Sequence, residues 1–162
     1  MPEKTQCTIQ VFKVHTLREM QEAWRIRNVV FVQGQGISLE GELDGLDDQA
    51  DHWLAFCTTH GPVGTIRLVE HAAQEGTCKF GRLAVLPSHR GTGVGKALMR
   101  AMHDVTEVQG RYRTIMCHAQ QDKIGFYQSL GYELLPGDTF YQERIPHRKM
   151  RKLILSQVDK SI

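Results

Sequence analysis

The residues from Arg82 to Leu98 hold the most informative chemistry in the chain. A β-type run, Arg82-Leu83-Ala84-Val85-Leu86, stops at Pro87. A glycine-rich turn follows, Arg90-Gly91-Thr92-Gly93-Val94-Gly95-Lys96, and a helical pattern begins inside it. The start of a helix presents free backbone N–H groups and the positive end of the helix dipole. Glycines let an anion come close to that backbone, and Arg90 and Lys96 add positive charge at both edges. The turn reads as an anion site, most simply for a pyrophosphate. A P-loop needs glycine, four residues, then Gly-Lys-Ser/Thr. Counting back from Gly95-Lys96 puts Arg90 at the first glycine and Ala97 at the Mg²⁺-binding hydroxyl, which argues against an NTPase. The dinucleotide pattern GxGxxG starts at Gly91 and Gly93 but meets Lys96 in place of its last glycine. It also lies mid-chain, behind strands of antiparallel type, whereas a dinucleotide fold opens with its fingerprint.

A third pattern fits in full. Leu83-Ala-Val-x-Pro87, then Arg90-Gly-x-Gly-x-Gly95, then Leu98-Met99 resembles the acyl-CoA-binding motif of the GNAT superfamily of N-acetyltransferases. Phe126-Tyr127-x-x-x-Gly131-Tyr132 is similar to a second signature of that superfamily. A narrower likeness points to its ElaA-like branch. It is carried by Arg27-x-x-Val30-Phe31-Val32-x-x-Gln35, Glu42-x-Asp44-x-x-Asp47-x-x-x-x-His52, Ala119-Gln120 and Phe140-x-x-Glu143-x-Ile145-Pro146-His147-x-x-Met150. Gly34 and Arg144 depart from the branch, which usually has Glu and Gly there, so its substrate does not transfer.

The resemblance implies direct transfer of an acetyl group from acetyl-CoA, as cosubstrate, to a primary amine of a small molecule or peptide in a ternary complex. The backbone of Leu83, Ala84 and Val85 would pair with pantetheine like an added strand. Backbone N–H groups of Arg90, Gly91, Thr92, Gly93, Val94, Gly95 and Lys96 would hold the pyrophosphate. A bulge splays the central strands in this superfamily, and Gly81 is the candidate for it. Tyr127 is the candidate general acid for the leaving thiolate, with a packing tyrosine as the alternative. His118, at the close of a strand, is the candidate base because imidazole titrates near neutral pH. Glu42 and Asp44 would serve instead, or attract the cationic amine. Gln120 would hydrogen-bond the cofactor, and Arg82 would bind an acidic group on the substrate. A non-catalytic acyl-CoA-binding module of the same fold is the competing reading. Homodimerisation, common in the superfamily, stays open.

Several elements must position these groups. Alternation marks a strand over Cys7–His15. Thr16, with Glu19 in capping-box position, starts a helix through Leu17, Met20, Trp24, Ile26 and Val30 that ends at Gly34-Gln35-Gly36. The acidic stretch Ser38–Asp51 reads as a long loop that either has a task or moves. Strands Asp51–Thr58 and Gly64–His71 form a hairpin through Gly61-Pro62, and a third strand covers Thr77–Leu86. A helix over Thr92–Gln109, a strand Arg111–His118 and a short helix Asp122–Leu130 with Gly131 as C-cap follow. Tyr132–Leu135 and Lys149–Leu155 read as closing strands. This order predicts an α/β, GNAT-type three-layer fold, with a mixed, mostly antiparallel central sheet flanked by helices, in a single domain spanning 1–162.

Composition agrees with one globular domain: 162 residues, 41% hydrophobic and 23% charged. A net charge of +2 is too balanced for a protein whose main partner is nucleic acid, and the basic run His147–Lys152 reads as a guarded strand edge. Apolar runs such as 28–32 are far too short to span a bilayer, so no membrane partner is expected. The opening Met1–Gln6 has no apolar segment of secretory type, which points to the cytoplasm. Cys7, Cys57, Cys78 and Cys117 are widely spaced and read as reduced and mostly buried. Neither they nor the eight histidines show C-x₂-C or H-x₃-H spacing, so no metal is expected.

Overall fold

The structure, a computed structural model, describes residues 7–154. The start, Met1–Gln6, and the last residue of the expected closing strand, Leu155, lie outside the described residues. In chain order the elements are β1 (Ile9–Lys13), α1 (Leu17–Arg27), α2 (Leu39–Glu42), β2 (Asp51–Cys57), β3 (Gly61–Glu70), β4 (Thr77–Val85), α3 (Val94–Gln109), β5 (Thr114–Gln120), α4 (Ile124–Ser129), β6 (Glu133–Leu134), β7 (Phe140–Gln142) and β8 (Ile145–Leu153). The strands form a sheet of order β1-β2-β3-β4-β5-β8-β6, with β7 also paired to β8. β1/β2, β5/β8, β6/β8 and β7/β8 are antiparallel, and β4/β5 is parallel with α3 as its crossover. The mixed, mostly antiparallel α/β architecture is the one expected.

The chain forms two compact units within the described residues. The first takes 7–67 and Arg82–His103; the second takes Leu68–Gly81 and 104–154. β3, β4 and α3 contribute residues to both.

In the first unit, α1 begins as the sequence predicts. Thr16 Oγ1 accepts from the Glu19 amide at 3.1 Å, and Glu19 Oε1 accepts from the Thr16 amide at 3.0 Å. The helix then widens into a π-helical turn over Asn28–Gln33. Ala23, Ile26, Val30 and Phe31 pack with Leu54 and Ala84 in one buried cluster. Removing such side chains from water supplies roughly 25 cal/mol per Å². Gly64 of β3 lies against the start of α3. A Cβ there would meet Val94 Cγ1 at 2.9 Å, Leu98 Cδ1 at 3.0 Å and the Ala84 carbonyl at 3.2 Å. A side chain there would push the tips of Val94 and Leu98 aside where β3 passes under the helix.

In the second unit, β5 pairs with β8 along its length, from Thr114↔Leu153 to Gln120↔His147. Phe80, Tyr127 and Tyr132 form an aromatic group above this sheet, with ring centroids 5.4 Å apart for Phe80–Tyr127 and for Phe80–Tyr132. The sequence reading omits α2 and β7. Both are very short, four residues and three, so neither shows a periodicity of its own.

Candidate active site

The glycine turn stands open at the start of a helix. After Pro87–His89, a single 3₁₀ turn, Arg90 is extended, and Gly91 and Gly93 adopt φ of 73° and 88°. Only glycine takes these left-handed values without strain. Arg90, Gly91, Thr92 and Gly93 are solvent-exposed. The Thr92 hydroxyl donates to the His89 carbonyl, and the Arg90 Nε donates to the Val85 carbonyl at 3.1 Å. These bonds tie the turn to its flanks. α3 opens with the Ala97 amide donating to the Gly93 carbonyl at 3.0 Å. The amides ahead of Ala97 have no partner within the helix, as helix geometry requires. Val94 and Leu98 are buried, so the helix start is anchored from below while its mouth stays open.

The same unit brings Arg82, Glu42 and Asp44 together, in a larger ionic network than the sequence suggests. Arg27, almost fully buried at 1% exposure, binds the Glu42 carboxylate and donates to Asp47 Oδ1 at 2.8 Å. Arg67 donates to both oxygens of Asp44 and to Asp47 Oδ1 at 3.2 Å. Trp24 Nε1 donates to Asp47 Oδ2 at 3.0 Å. The Arg82 guanidinium donates to the Glu42 carbonyl at 3.1 Å, the Gly41 carbonyl at 3.2 Å and Asp44 Oδ2 at 3.2 Å.

Burial alone would raise the Asp44 carboxyl, but Arg67 beside it holds it well below the usual carboxylate range. Asp47 is lowered against the same burial penalty, chiefly by Arg27. Burial, then the charge of Arg67, lowers Arg82. Arg82 itself sits at φ 54°, a left-handed value that costs a residue with a side chain of order 1–3 kcal/mol. The departure expected at Gly81 thus falls one residue later, held by the carbonyls that Arg82 grips. The acidic stretch is ordered: Ser38 caps α2 through a 3.0 Å bond from the Gly41 amide, and three arginines hold its carboxylates.

In the second unit, Tyr127 is buried at 9% exposure, and burial pushes its phenol above the ordinary value. His118 Nδ1 lies 3.2 Å from Lys79 Nζ and 3.1 Å from Gln142 Nε2. Burial first, then the charges of Lys79 and Lys149, lower its pKa to about 4. Its ring also meets Phe140 edge-on, with centroids 4.9 Å apart. His118, Phe140, Gln142, Leu135 and Arg148 line an open cavity of ≈ 390 Å³. Gln120 closes β5 opposite His147. Three cations of β8 are engaged within the chain: Arg148, whose Nη2 donates to the Leu135 carbonyl at 3.4 Å, Arg151 and Lys152. Arg151 pairs with Glu133 at 2.9 Å, and Lys152 donates to the Leu130 carbonyl at 2.8 Å.

Cys78 and Cys117 are free and buried as expected, and burial pushes both thiols up to about 12. Cys7 and Cys57 depart from that expectation: the strand pairing of β1 with β2 brings them together as a disulfide, with Cα atoms 5.7 Å apart. They stand with His60 and His89 in a group whose donor atoms all lie within 4.8 Å of one another. The sequence reading passed over this group because its members come from three separated segments. The Cys57-x-x-His60 spacing was the one local sign of it.

Arg27, Asp47 and Arg67 are likewise absent from the sequence-based site, although two of them stand in the ElaA-like pattern. The sequence shows the charges but not which are buried together.

Comparison with known proteins extends these observations. The Acetyltransferase (GNAT) domain family matches residues 48–134, more than half of the chain. The Bacillus subtilis strain 168 protein named uncharacterized N-acetyltransferase YjcF is 32% identical over 83% of this chain and 92% of its own. Among solved structures, Escherichia coli ElaA matches with a TM-score of 0.78 at 22% identity, over 90% of this chain and 99% of its own. An acyl-CoA N-acyltransferase from Pseudomonas aeruginosa gives a TM-score of 0.78 at 24% identity over the same shares. At these identities the two structures establish the fold. The family match spans the turn at Arg90, and the Bacillus relative runs along most of the chain; on both grounds this protein belongs to the GNAT acetyltransferase family.

Proposed function

We propose that the protein is an N-acetyltransferase that moves the acetyl group of acetyl-CoA to a primary amine of a small molecule or peptide, directly and within a ternary complex. The observation that carries this reading is the exposed turn at Arg90–Gly93. Its left-handed glycines open the start of a helix that is anchored by Val94 and Leu98. Main-chain amides from Arg90 to Lys96 receive the diphosphate, and the Leu83–Val85 backbone receives pantetheine. Gln120 adds a side-chain hydrogen bond to the cofactor.

In the proposed step the neutral amine nitrogen attacks the thioester carbonyl. The C–N bond forms, the C–S bond breaks, and the departing sulfur takes a proton from Tyr127. Burial raises the Tyr127 phenol, which keeps it protonated but makes transfer to a thiolate of ordinary pKa about 8.5 uphill, so the acid role requires the bound cofactor to bring that phenol down. His118, held neutral, accepts the proton that the amine loses. Glu42 and Asp44 set the acidic character of the acceptor side, and Arg82 takes an acidic group on the substrate. Asp44 and Arg82 keep 28% and 25% of their side chains exposed, so they are the open members of the network, while Glu42 acts through Arg27. We place the reaction in the cytoplasm, where acetyl-CoA and reduced thiols coexist.

Two measurements test the reading. Calorimetry with CoA should register binding that inorganic pyrophosphate weakens. Thiol release from acetyl-CoA should then appear with at least one member of a panel of polyamines, amino sugars, amino acids and lysine peptides. Absence of CoA binding overturns the assignment. Binding without thiol release from any amine favours the non-catalytic acyl-CoA-binding module.

A further inference from the structure

Cys7, Cys57, His60 and His89 form a second chemical centre, which the acetyl-transfer reading does not use. Cys57 ends β2, and His60 follows it in the turn to β3. Cys7 precedes β1, whose Ile9 sits opposite Cys57 in the antiparallel register. His89 ends the 3₁₀ turn just ahead of Arg90. Cys57 is fully buried and His89 nearly so at 7% exposure, whereas His60 is open to solvent.

The imidazoles are aimed at the sulfurs. His60 Nδ1 lies 3.3 Å from Cys57 Sγ, and His89 Nε2 lies 3.8 Å from Cys7 Sγ. The other ring nitrogen of His89 sits 2.8 Å from Ser88 Oγ. A proton on Nδ1, shared with that hydroxyl, leaves the Nε2 lone pair pointing at the cluster. This is the supporting partner that metal-bound histidines usually have.

The structure joins Cys7 and Cys57 as a disulfide; once a thiol or phosphine reductant opens it, the same two sulfurs are thiolate donors beside two imidazoles. A disulfide has no need of two imidazoles turned onto its sulfurs. A divalent cation does, because two thiolates and two neutral imidazoles complete a tetrahedral set. Zn–S bonds of about 2.3 Å and Zn–N bonds of about 2.0–2.1 Å put tetrahedral donors roughly 3.3–3.8 Å apart. The donor atoms here lie within 4.8 Å of one another and reach that spacing when the disulfide is reduced and its two sulfurs part.

We propose that these four residues bind Zn²⁺ as a closed, structural site. A thiol or phosphine reductant supplies the two electrons that open the disulfide to two thiols; zinc binding then takes two protons off those thiols and none off the imidazoles, with no further change of oxidation state. All four metal positions are filled by protein, so the ion has no place for substrate. Its effect is to staple the chain before β1, the β2–β3 turn and the 3₁₀ turn at His89 to one another, and so to fix the residue adjoining the Arg90 turn. Exposed His60 gives the ion a way in.

The test uses the full chain, grown with added zinc and purified with a phosphine reductant and no chelator. Mass spectrometry of the metal should find about one zinc per chain. Cys57→Ser and His89→Ala should lose it. Chelation should lower the Tm of the wild type and leave that of Cys57→Ser unchanged. Cobalt exchanged for zinc should show sulfur-to-metal charge transfer and the intense visible bands of a tetrahedral site. This readout needs no variant to fold. Zinc below about a tenth per chain with no cobalt–thiolate band overturns the proposal, whether Cys7 and Cys57 are recovered as a disulfide or as free thiols. So does zinc that persists in both variants.

Discussion

Arg67 holds Asp44 with both terminal nitrogens, Nη1 on Oδ1 and Nη2 on Oδ2, each at 2.8 Å. A two-pronged bond of this kind fixes orientation as well as charge. It makes Asp44 a proton-linked support of the fold. The folded carboxyl sits below its unfolded value of about 4, so the unfolded chain binds more protons as pH falls through that region. The resulting stability is fully present above about pH 5 and drains away in acid. Asp44→Asn should therefore lower Tm at neutral pH and flatten the acid side of the Tm–pH curve. An unchanged acid slope would mean that the pair carries no proton linkage.

Gly93 should be more important for ligand than for fold. Its φ of 88° strains any side chain, yet a Cβ there would meet nothing within 4 Å. Gly93→Val should weaken CoA binding about tenfold, the effect of roughly 1.4 kcal/mol of strain at the turn. Its circular dichroism should stay close to that of the wild type. Calorimetry on the variant reads this directly, and undiminished affinity would move the anion site elsewhere.

Tyr127→Phe keeps the ring packing against Phe80 and Tyr132 and removes only the hydroxyl. Turnover should drop about tenfold or more while acetyl-CoA affinity stays nearly constant. Equal turnover in the two proteins would leave Tyr127 a packing residue.

His118 titrates far below the ordinary 6.5, at about 4, so its imidazole is neutral throughout the physiological range. If it accepts the amine proton, kcat/KM should fall through an acid limb only near pH 4, with the neutral range governed by the amine. His118→Gln should erase that limb. Retention of it would dismiss His118 as the acceptor. The same shift affects stability: between pH 6.5 and about 4 the unfolded chain gains a proton that the folded one refuses, so stability declines as pH drops across that window.

The turn at Arg90 was legible as a conformation because its signal is local. Glycine spacing, the preceding proline and the helical pattern behind it all lie within one short run, and backbone conformation follows from them. The capping box at Thr16 was legible for the same reason. The ionic network was only half visible. Glu42, Asp44 and Arg82 stood out as charges, but burial of Arg27 and Arg67 depends on packing between segments that no periodicity records. β7 has three residues and takes its identity from β8, so it carries no pattern of its own. The Cys57–His60–His89–Cys7 group was missed because its donors converge only once the strands are paired.

Gly64 has a further implication for anyone who would re-engineer the turn at Arg90–Gly93. The height at which α3 rides is gauged by the absence of a side chain on the strand beneath it. Swapping loop residues between 90 and 93 leaves that gauge untouched, while a single methyl at Gly64 would press on Val94 and Leu98, the buried side chains that seat the start of the helix. Redesign of ligand preference should therefore treat Gly64, Val94 and Leu98 as one mechanical part and confine variation to the rim.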